Sequence, residues 1–373
     1  MNAEKLHMVA LAVLDNFKKT NIEPVINTVI QSLQNQINQP AQPQHQQQLS
    51  SGIQSLYNAL DSAPDKEFSP TWKLIIEEIG GGGFISTELK MKIQKTFEQN
   101  QITPSLALEG MQAISTELNK FKTALEQIIS GFQFLKIGKE ELNEGECALG
   151  VLVPRDSVKN KLHDLGKELI DLDKMFAPFS ELIEGNRSGY EIRSVSSSEF
   201  QLYLSLLPGV ALCIAKTVDI IITSYTKLIA IREYRTKLQK EGLSEKDLGG
   251  IKGYADKLME DTIKTIVEDL LKDHEDKKDK ARLNELSTEL KHSLNKIANR
   301  IDRGFNIEIK VGPLQNTGQE GTEGSSITER NKKLESIKLI AKHLGFLKPA
   351  GDSILSLPES SSESETDKQK KKS

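Results

Sequence analysis

The side chains that most often do chemistry in proteins are spread along this chain without converging by their spacing. Its histidines never approach one another at a metal-ligand spacing, and only His163-Asp164 and residues 273–276 place a histidine among carboxylates. A zinc site needs three or four converging ligands, so we expect no metal site and no other cofactor. The six histidines are His7, His45, His163, His274, His292 and His343.

A run of glycines and several pairs of adjacent carboxylates partly match known catalytic motifs, but each lacks an essential part of the motif. Gly80 to Gly83 resemble a phosphate-binding loop, yet they follow a predicted helix and lack the Lys-Ser/Thr ending of a nucleotide site. Adjacent carboxylates such as Glu77 and Glu78 diverge around a helix and do not converge on one bond. The serines show no nucleophile-elbow pattern. We therefore do not expect an enzyme, and read the glycines as a flexible break between helices.

Composition favours a soluble helical protein that works in a reducing compartment. With 49 basic and 53 acidic residues the formal charge is −4, which gives no global attraction to nucleic acid. Only 5% of residues are aromatic, which favours long helices over sandwiches or barrels. Two cysteines, Cys147 and Cys213, are too few for a disulfide framework. The apolar N-terminal patch is interrupted by Asp15 and reads as an amphipathic helix, so we expect a cytoplasmic protein.

The strongest pattern in the chain is a pair of heptad-like apolar stripes on two long predicted helices. Stripes this regular predict burial along another helix, so we interpret them as interaction seams that pack against each other. The first comprises Met111, Ile114, Leu118, Phe121, Leu125, Ile128, Phe132 and Leu135, and the second Val158, Leu162, Leu165, Leu169, Leu172, Phe176, Phe179 and Ile183.

The segment 202–231 is the most hydrophobic in the chain and is our candidate membrane-active segment. Its uninterrupted apolar core is shorter than the ~20 residues that span a bilayer. Lys216 and Asp219 would also be costly at mid-bilayer, although they lie three apart and could pair. We predict a buried bundle helix that meets a membrane only after a conformational change. Its inward-facing residues are Ile214, Val218, Ile221, Tyr225 and Leu228.

These elements predict a mainly α fold, an elongated antiparallel helical bundle or coiled coil with a two- to three-stranded β element at one end. Ser196 and Glu199 have capping-box spacing, and they predict that the residues from Phe200 to Leu207 begin a helix. We expect the strand near 148–153 to pair with the strand at 305–311, and not with the strand near 190–195. The predicted segments are N-terminal helices at 1–38, a Gln/Pro-rich linker at 39–50, a helical subdomain at 51–104, the heptad-helix bundle at 105–312, a linker at 313–328, a C-terminal helix at 329–347 and a disordered tail at 348–373.

The tail alternates serine with acid before a basic end. It resembles, over fewer than 20 residues, the acidic C-terminal export signals of proteins delivered by bacterial type IV secretion systems, with Glu359, Glu363 and Glu365 as the acidic positions. That resemblance implies a secreted effector as the alternative location. The commonest role of such a charged C-terminal tail is to keep the protein soluble.

Two functional hypotheses follow. The first is a non-enzymatic scaffold that binds a protein partner or a second copy through its seams. The second is a pore-forming or membrane-active protein that uses the segment 202–231.

Overall fold

The computed structural model describes residues 3–139, 141–187, 189–196, 200–244, 248–273, 280–315, 322–344, 347 and 349–360. The chain divides into two compact units, unit 1 (Met1–Glu140) and unit 2 (Glu141–Ser373). It is mainly helical and carries one small antiparallel sheet. Each unit buries its own hydrophobic core.

The described residues of unit 1 form helices and the loops that connect them, with no strand. Asn21, in the left-handed conformation at φ 48°, separates its first two helices, and Pro24 lies in the first turn of the second. Its α-helices are α1 (Ala3–Thr20), α2 (Ile22–Asn38), α3 (Pro43–Asp61), α4 (Pro70–Glu78), α5 (Ser86–Gln99) and α6 (Pro104–Phe134).

Helix α3 corrects the prediction of a linker at 39–50. The helix starts at Pro43, where a proline in the first turn costs no hydrogen bond, and glutamine is itself a good helix former. Gly52, Leu56 and Leu60 then bury its other half against α2 and α5. The low apolar content of residues 39–50 concealed a helix whose stability comes from its second half.

Unit 2 combines five helices with four strands in its described residues. Its helices are α7 (Leu162–Glu184), α8 (Pro208–Lys240), α9 (Gly249–Lys272), α10 (Lys280–Asp302) and α11 (Thr322–His343), and its strands are β1 (Cys147–Val153), β2 (Ile192–Ser196), β3 (Phe200–Leu206) and β4 (Asn306–Val311). The strand order is β2-β3-β1-β4, and every pairing is antiparallel.

The predicted pairing between 148–153 and 305–311 is confirmed, since Val151 of β1 lies opposite Ile307 of β4. The sheet has four strands, however, and not two or three. Residues predicted to begin a helix form β3, which lies between β1 and β2. All its side chains from Gln201 to Leu204 are buried. A strand buried on both faces shows no polar alternation, and its apolar spacing then resembles that of a helix.

Three predicted boundaries also change. The break between the units falls at 140, inside the bundle predicted at 105–312. Helix α11 begins at Thr322, inside the predicted linker at 313–328, and ends at His343. Residues 349–360 were predicted as part of a disordered tail, yet Ile354, Leu355 and Leu357 are buried in the core of unit 2. Side chains of α10 bind the backbone there, which compensates the low apolar content. Glu363 and Glu365 lie outside the described residues.

Candidate functional site

The predicted seam on α6 is part of the core of unit 1. Leu118 and Leu125 are fully buried, while Phe121 and Ile128 are half-buried. The ring of Phe121 stacks on Phe84, with centroids 5.2 Å apart. Helix α6 packs against α1, α2 and α5, so helices of its own unit cover most of this seam. Leu135, the last residue of the predicted seam, follows the end of α6 and is 66% exposed.

The predicted seam on α7 is exposed in the first half of the helix and buried in the second half. Leu172 and Phe176 are fully buried in the core of unit 2, and Leu165 packs half-buried against it. Leu162, by contrast, is 85% exposed and Leu169 is 41% exposed. The prediction that the whole seam is buried is therefore wrong for its first turns. Heptad spacing shows which residues share a face but not whether another element covers that face.

The two predicted seams were also expected to pack against each other. Their buried residues belong instead to two different cores, with Leu118 and Leu125 in unit 1 and Leu172 and Phe176 in unit 2. The buried part of each seam packs inside its own unit.

Leu162, Leu165, Gly166 and Leu169 form a continuous surface, which we call the α7 face. One helical turn separates Leu162 from Leu165 and Gly166, and another separates these from Leu169. A Cβ added at Gly166 would meet no described atom within 4 Å, so the backbone there is open to close approach. The α7 face is apolar, and it is the best candidate for a functional surface among the described residues.

Ion pairs fix the orientation of this half of α7. Arg300 of α10 donates to Glu168 and also to Asp171, at 3.3 Å, and its own side chain is almost fully buried. Lys296 lies 3.6 Å from the second oxygen of Asp171. These contacts hold one side of α7 on α10 and leave Leu162 and Leu169 of the α7 face exposed to solvent.

The candidate membrane-active residues all lie inside the core of unit 2. Ile214, Val218, Ile221, Tyr225 and Leu228 are fully buried on α8. Among the described helices, α8 is long and apolar enough to cross a membrane, but a buried core helix passes the same test. The structure thus places these five residues together on a packed face.

A buried polar centre lies at the end of this α8 face, and sequence reasoning missed it. The Tyr225 hydroxyl donates to Asp302 Oδ1 at 2.6 Å, and Arg232 Nη1 donates to the same oxygen at 2.7 Å. Burial, followed by the charge of Asp302, raises the pKa of Tyr225. Arg232 and Asp302 are 70 residues apart, and each looks in the sequence like an ordinary surface charge of a helix.

The two cysteines and the potential metal ligands also bear on the expectations from sequence. Burial raises the pKa of Cys147 and of Cys213 to about 12, which keeps both thiols protonated and unreactive. Histidine, cysteine and carboxylate side chains form no cluster that could hold a metal ion among the described residues. The segment around His274 lies outside them.

Comparison with protein families, with curated proteins and with solved structures finds no match for this chain.

Proposed function

We propose that this chain is a non-enzymatic interaction protein that associates with a second copy of itself through the α7 face. The observation that carries the proposal is the exposure of Leu162 and Leu169 at heptad spacing on a helix whose other side is fixed by ion pairs. An apolar stripe that continues outside the core is typical of a surface that is covered in an assembly.

The α7 face is nearly self-complementary, which favours a second copy as its occupant. Leu162 and Leu169 flank Leu165 and Gly166, so an antiparallel copy would set Leu162 of one chain beside Leu169 of the other. Gly166 would lie close to the two-fold axis, where the absence of a side chain lets two helix backbones approach. A two-fold contact needs only one such patch per chain.

The size of the α7 face sets the expected strength of the association. Burying a leucine contributes about 1.5–3 kcal/mol, whereas bringing two molecules together costs about 4–15 kcal/mol. Because Leu165 and Leu169 are already partly buried in the single chain, the leucines of two α7 faces contribute an amount of about the same size as that cost. We therefore expect a weak dimer whose population rises with protein concentration.

Helix packing in unit 2 supports an antiparallel bundle as the framework that presents this face. Helix α9 packs against α8 and α10, and α10 packs against α7. Short connections between neighbouring helices favour antiparallel packing. We propose this bundle as the finer description of the fold.

The experiment is a measurement of molar mass by light scattering over a wide concentration range. The double variant Leu162→Lys, Leu169→Lys should stay at 41.5 kDa, while the unchanged chain rises toward twice that mass. Leu339→Lys is the matched control, because Leu339 is 64% exposed on α11, away from the α7 face in sequence. The proposal fails if the unchanged chain is monomeric throughout, or if the control weakens association equally.

A membrane-active function is the second candidate, and the length and apolar character of α8 favour it. Lipid contact would require the buried face around Ile214 and Val218 to leave the core, so this function needs a conformational change. Dye leakage from anionic liposomes at neutral and at mildly acidic pH tests it. Leakage that an Ile220→Asp variant abolishes would favour this candidate over the scaffold, because Ile220 lies on α8 but is 45% exposed, so that its replacement leaves the core intact.

A cytoplasmic protein acting through protein contacts, without nucleic acid, remains the proposal for location and partner. Delivery as a secreted effector is the alternative. Glu359, one of the three acidic positions behind that alternative, is engaged by Arg300 and Arg303 in unit 2.

A further inference from the structure

Residues 350–360, which we call the C-terminal strap, run without regular secondary structure over α8, α9 and α10. Ile354, Leu355 and Leu357 insert into the core of unit 2. The strap therefore combines apolar anchors with a backbone that has no helix or strand to satisfy its hydrogen bonds. Its polar backbone groups need partners from elsewhere.

Side chains of the underlying helices bind the strap backbone one residue after another. Asp302 Oδ2 accepts the N–H groups of Ile354 and Leu355, both at 2.8 Å. Asp256 Oδ1 on α9 accepts the N–H of Ser356 at 2.7 Å. These hydrogen bonds involve only the main chain of the strap. They could therefore form with another extended segment whose side chains fit the same positions.

Asn299 shows the pattern in its most complete form. Its Oδ1 accepts the N–H of Leu357 at 3.1 Å, and its Nδ2 donates to the carbonyl of the same residue at 2.9 Å. One asparagine thus satisfies both backbone groups of one strap residue. A side-chain amide that hydrogen-bonds both the N–H and the carbonyl of one residue is suited to bind an extended peptide.

Asn295, one turn earlier on α10, makes only one of the two hydrogen bonds that Asn299 makes with the strap backbone. Its Nδ2 donates to the carbonyl of Pro358 at 2.7 Å, but its Oδ1 is buried without a hydrogen-bond partner among the described residues. Proline has no N–H to offer. An unsatisfied buried acceptor is costly, so the strap is an imperfect occupant at this position.

Arginines hold both ends of the strap. Arg232 Nε donates to the carbonyl of Ala350 at 2.9 Å, and its guanidinium also binds the carbonyl of Gly351. At the other end Arg303 lies 3.2 Å from Glu359, which also contacts Arg300. Arginines thus bind backbone carbonyl groups at one end of the strap and an acidic side chain at the other.

We propose that this groove is a peptide-recognition site and that the strap is a resident ligand which a partner can displace. The partner would carry an extended segment with adjacent apolar residues at the positions of Ile354 and Leu355, a third at that of Leu357, and an acidic residue at that of Glu359. At the position of Pro358 it would carry a residue with an N–H, which would satisfy Asn295.

The test uses the full chain with a protease site inserted at residue 349 and cut after folding. Two dye-labelled peptides are then offered in excess, one with the sequence of residues 350–360 and one with Pro358→Ala. Fluorescence anisotropy should show both peptides exchanging into the groove, with the Pro358→Ala peptide binding about tenfold more tightly because it supplies the missing donor. A peptide of scrambled sequence is the control for nonspecific binding.

A matched variant of the protein isolates the role of Asn295. In the cleaved Asn295→Ala chain the two peptides should bind with closely similar affinity, because the buried acceptor is gone. Failure of both peptides to exchange, or unfolding when the cut strap leaves, would overturn the proposal by showing that the strap is a fixed part of the core. Equal affinity of the two peptides for the unchanged groove would also overturn it.

Discussion

Asp302 is fully buried, and its two carboxylate oxygens connect separate parts of unit 2. One oxygen binds Tyr225 and Arg232 of α8, and the other binds the backbone of Ile354 and Leu355. The pair of Arg232 and Asp302 is satisfied on both sides, which is the condition under which a buried ion pair is tolerated.

Replacing Asp302 with alanine should destabilise the protein by about 3–5 kcal/mol, because Arg232 would remain buried without its counter-charge. Urea unfolding followed by circular dichroism measures the loss. Asp261→Ala, at an exposed position on α9, is the control and should change the free energy of unfolding little. A loss below 1 kcal/mol for Asp302→Ala would show that the centre is not intact in solution.

Glu181 contributes a pH-dependent stability. Hydrogen bonds from Arg282, followed by those from Arg187, lower its pKa from an ordinary value of 4.5 to about 2. A depressed carboxyl pKa contributes stability that is fully present above pH 4.5 and is lost as the pH falls toward 2. Because both arginines are partly exposed, water screens the pairs and we expect only about 1–2 kcal/mol.

The corresponding variant is Glu181→Gln. Between pH 5 and about pH 2 the unchanged chain should lose about 1–2 kcal/mol more unfolding free energy than the variant does. Denaturant titrations at a series of pH values give both slopes. Parallel slopes for the two proteins would mean that Glu181 is not ionically paired in solution.

At the scale of elements, α7 carries one apolar stripe with two different environments. Leu172→Asp should destabilise the protein by more than about 3 kcal/mol, because it buries an unpaired carboxylate, whereas Leu162→Asp should leave the melting temperature nearly unchanged. Thermal unfolding of the two variants side by side measures this. Comparable losses from both would contradict the division of the stripe into a buried and an exposed half.

The elements that the sequence predicted well are those with an unambiguous pattern. The strands at 148–153 and 305–311 were identified as partners, and both long apolar helices exist. Strand β3 was missed because its buried faces remove the alternation that marks a strand. The exposed half of α7 and the Arg232–Asp302 centre were missed for another reason. Burial and long-range pairing depend on tertiary neighbours, which periodicity within one segment does not report.

At the scale of the whole molecule, each unit has its own core, so unit 1 should fold alone. A fragment of residues 1–140 should be helical and should unfold cooperatively, because α6 contributes Leu118 and Leu125 to its core. A fragment of residues 1–103 lacks α6 and should lose that cooperative transition. Circular dichroism on both fragments decides the matter, and an unfolded 1–140 fragment would contradict the assignment of α6 to unit 1.

Two copies of the chain should meet antiparallel at the α7 face, with Leu162 of one copy beside Leu169 of the other. A Leu162→Cys chain mixed with a Leu169→Cys chain should therefore form a mixed disulfide-linked dimer on mild oxidation, and Gly166 stays unchanged so that the two helices can still approach. Cys147 and Cys213 are buried, which keeps the chain's own thiols away from a second copy. A mixture of Leu339→Cys, exposed on α11, with Leu169→Cys is the control and should not form this dimer. If the mixture of Leu162→Cys and Leu169→Cys forms no more dimer than the control mixture, the proposed assembly is wrong.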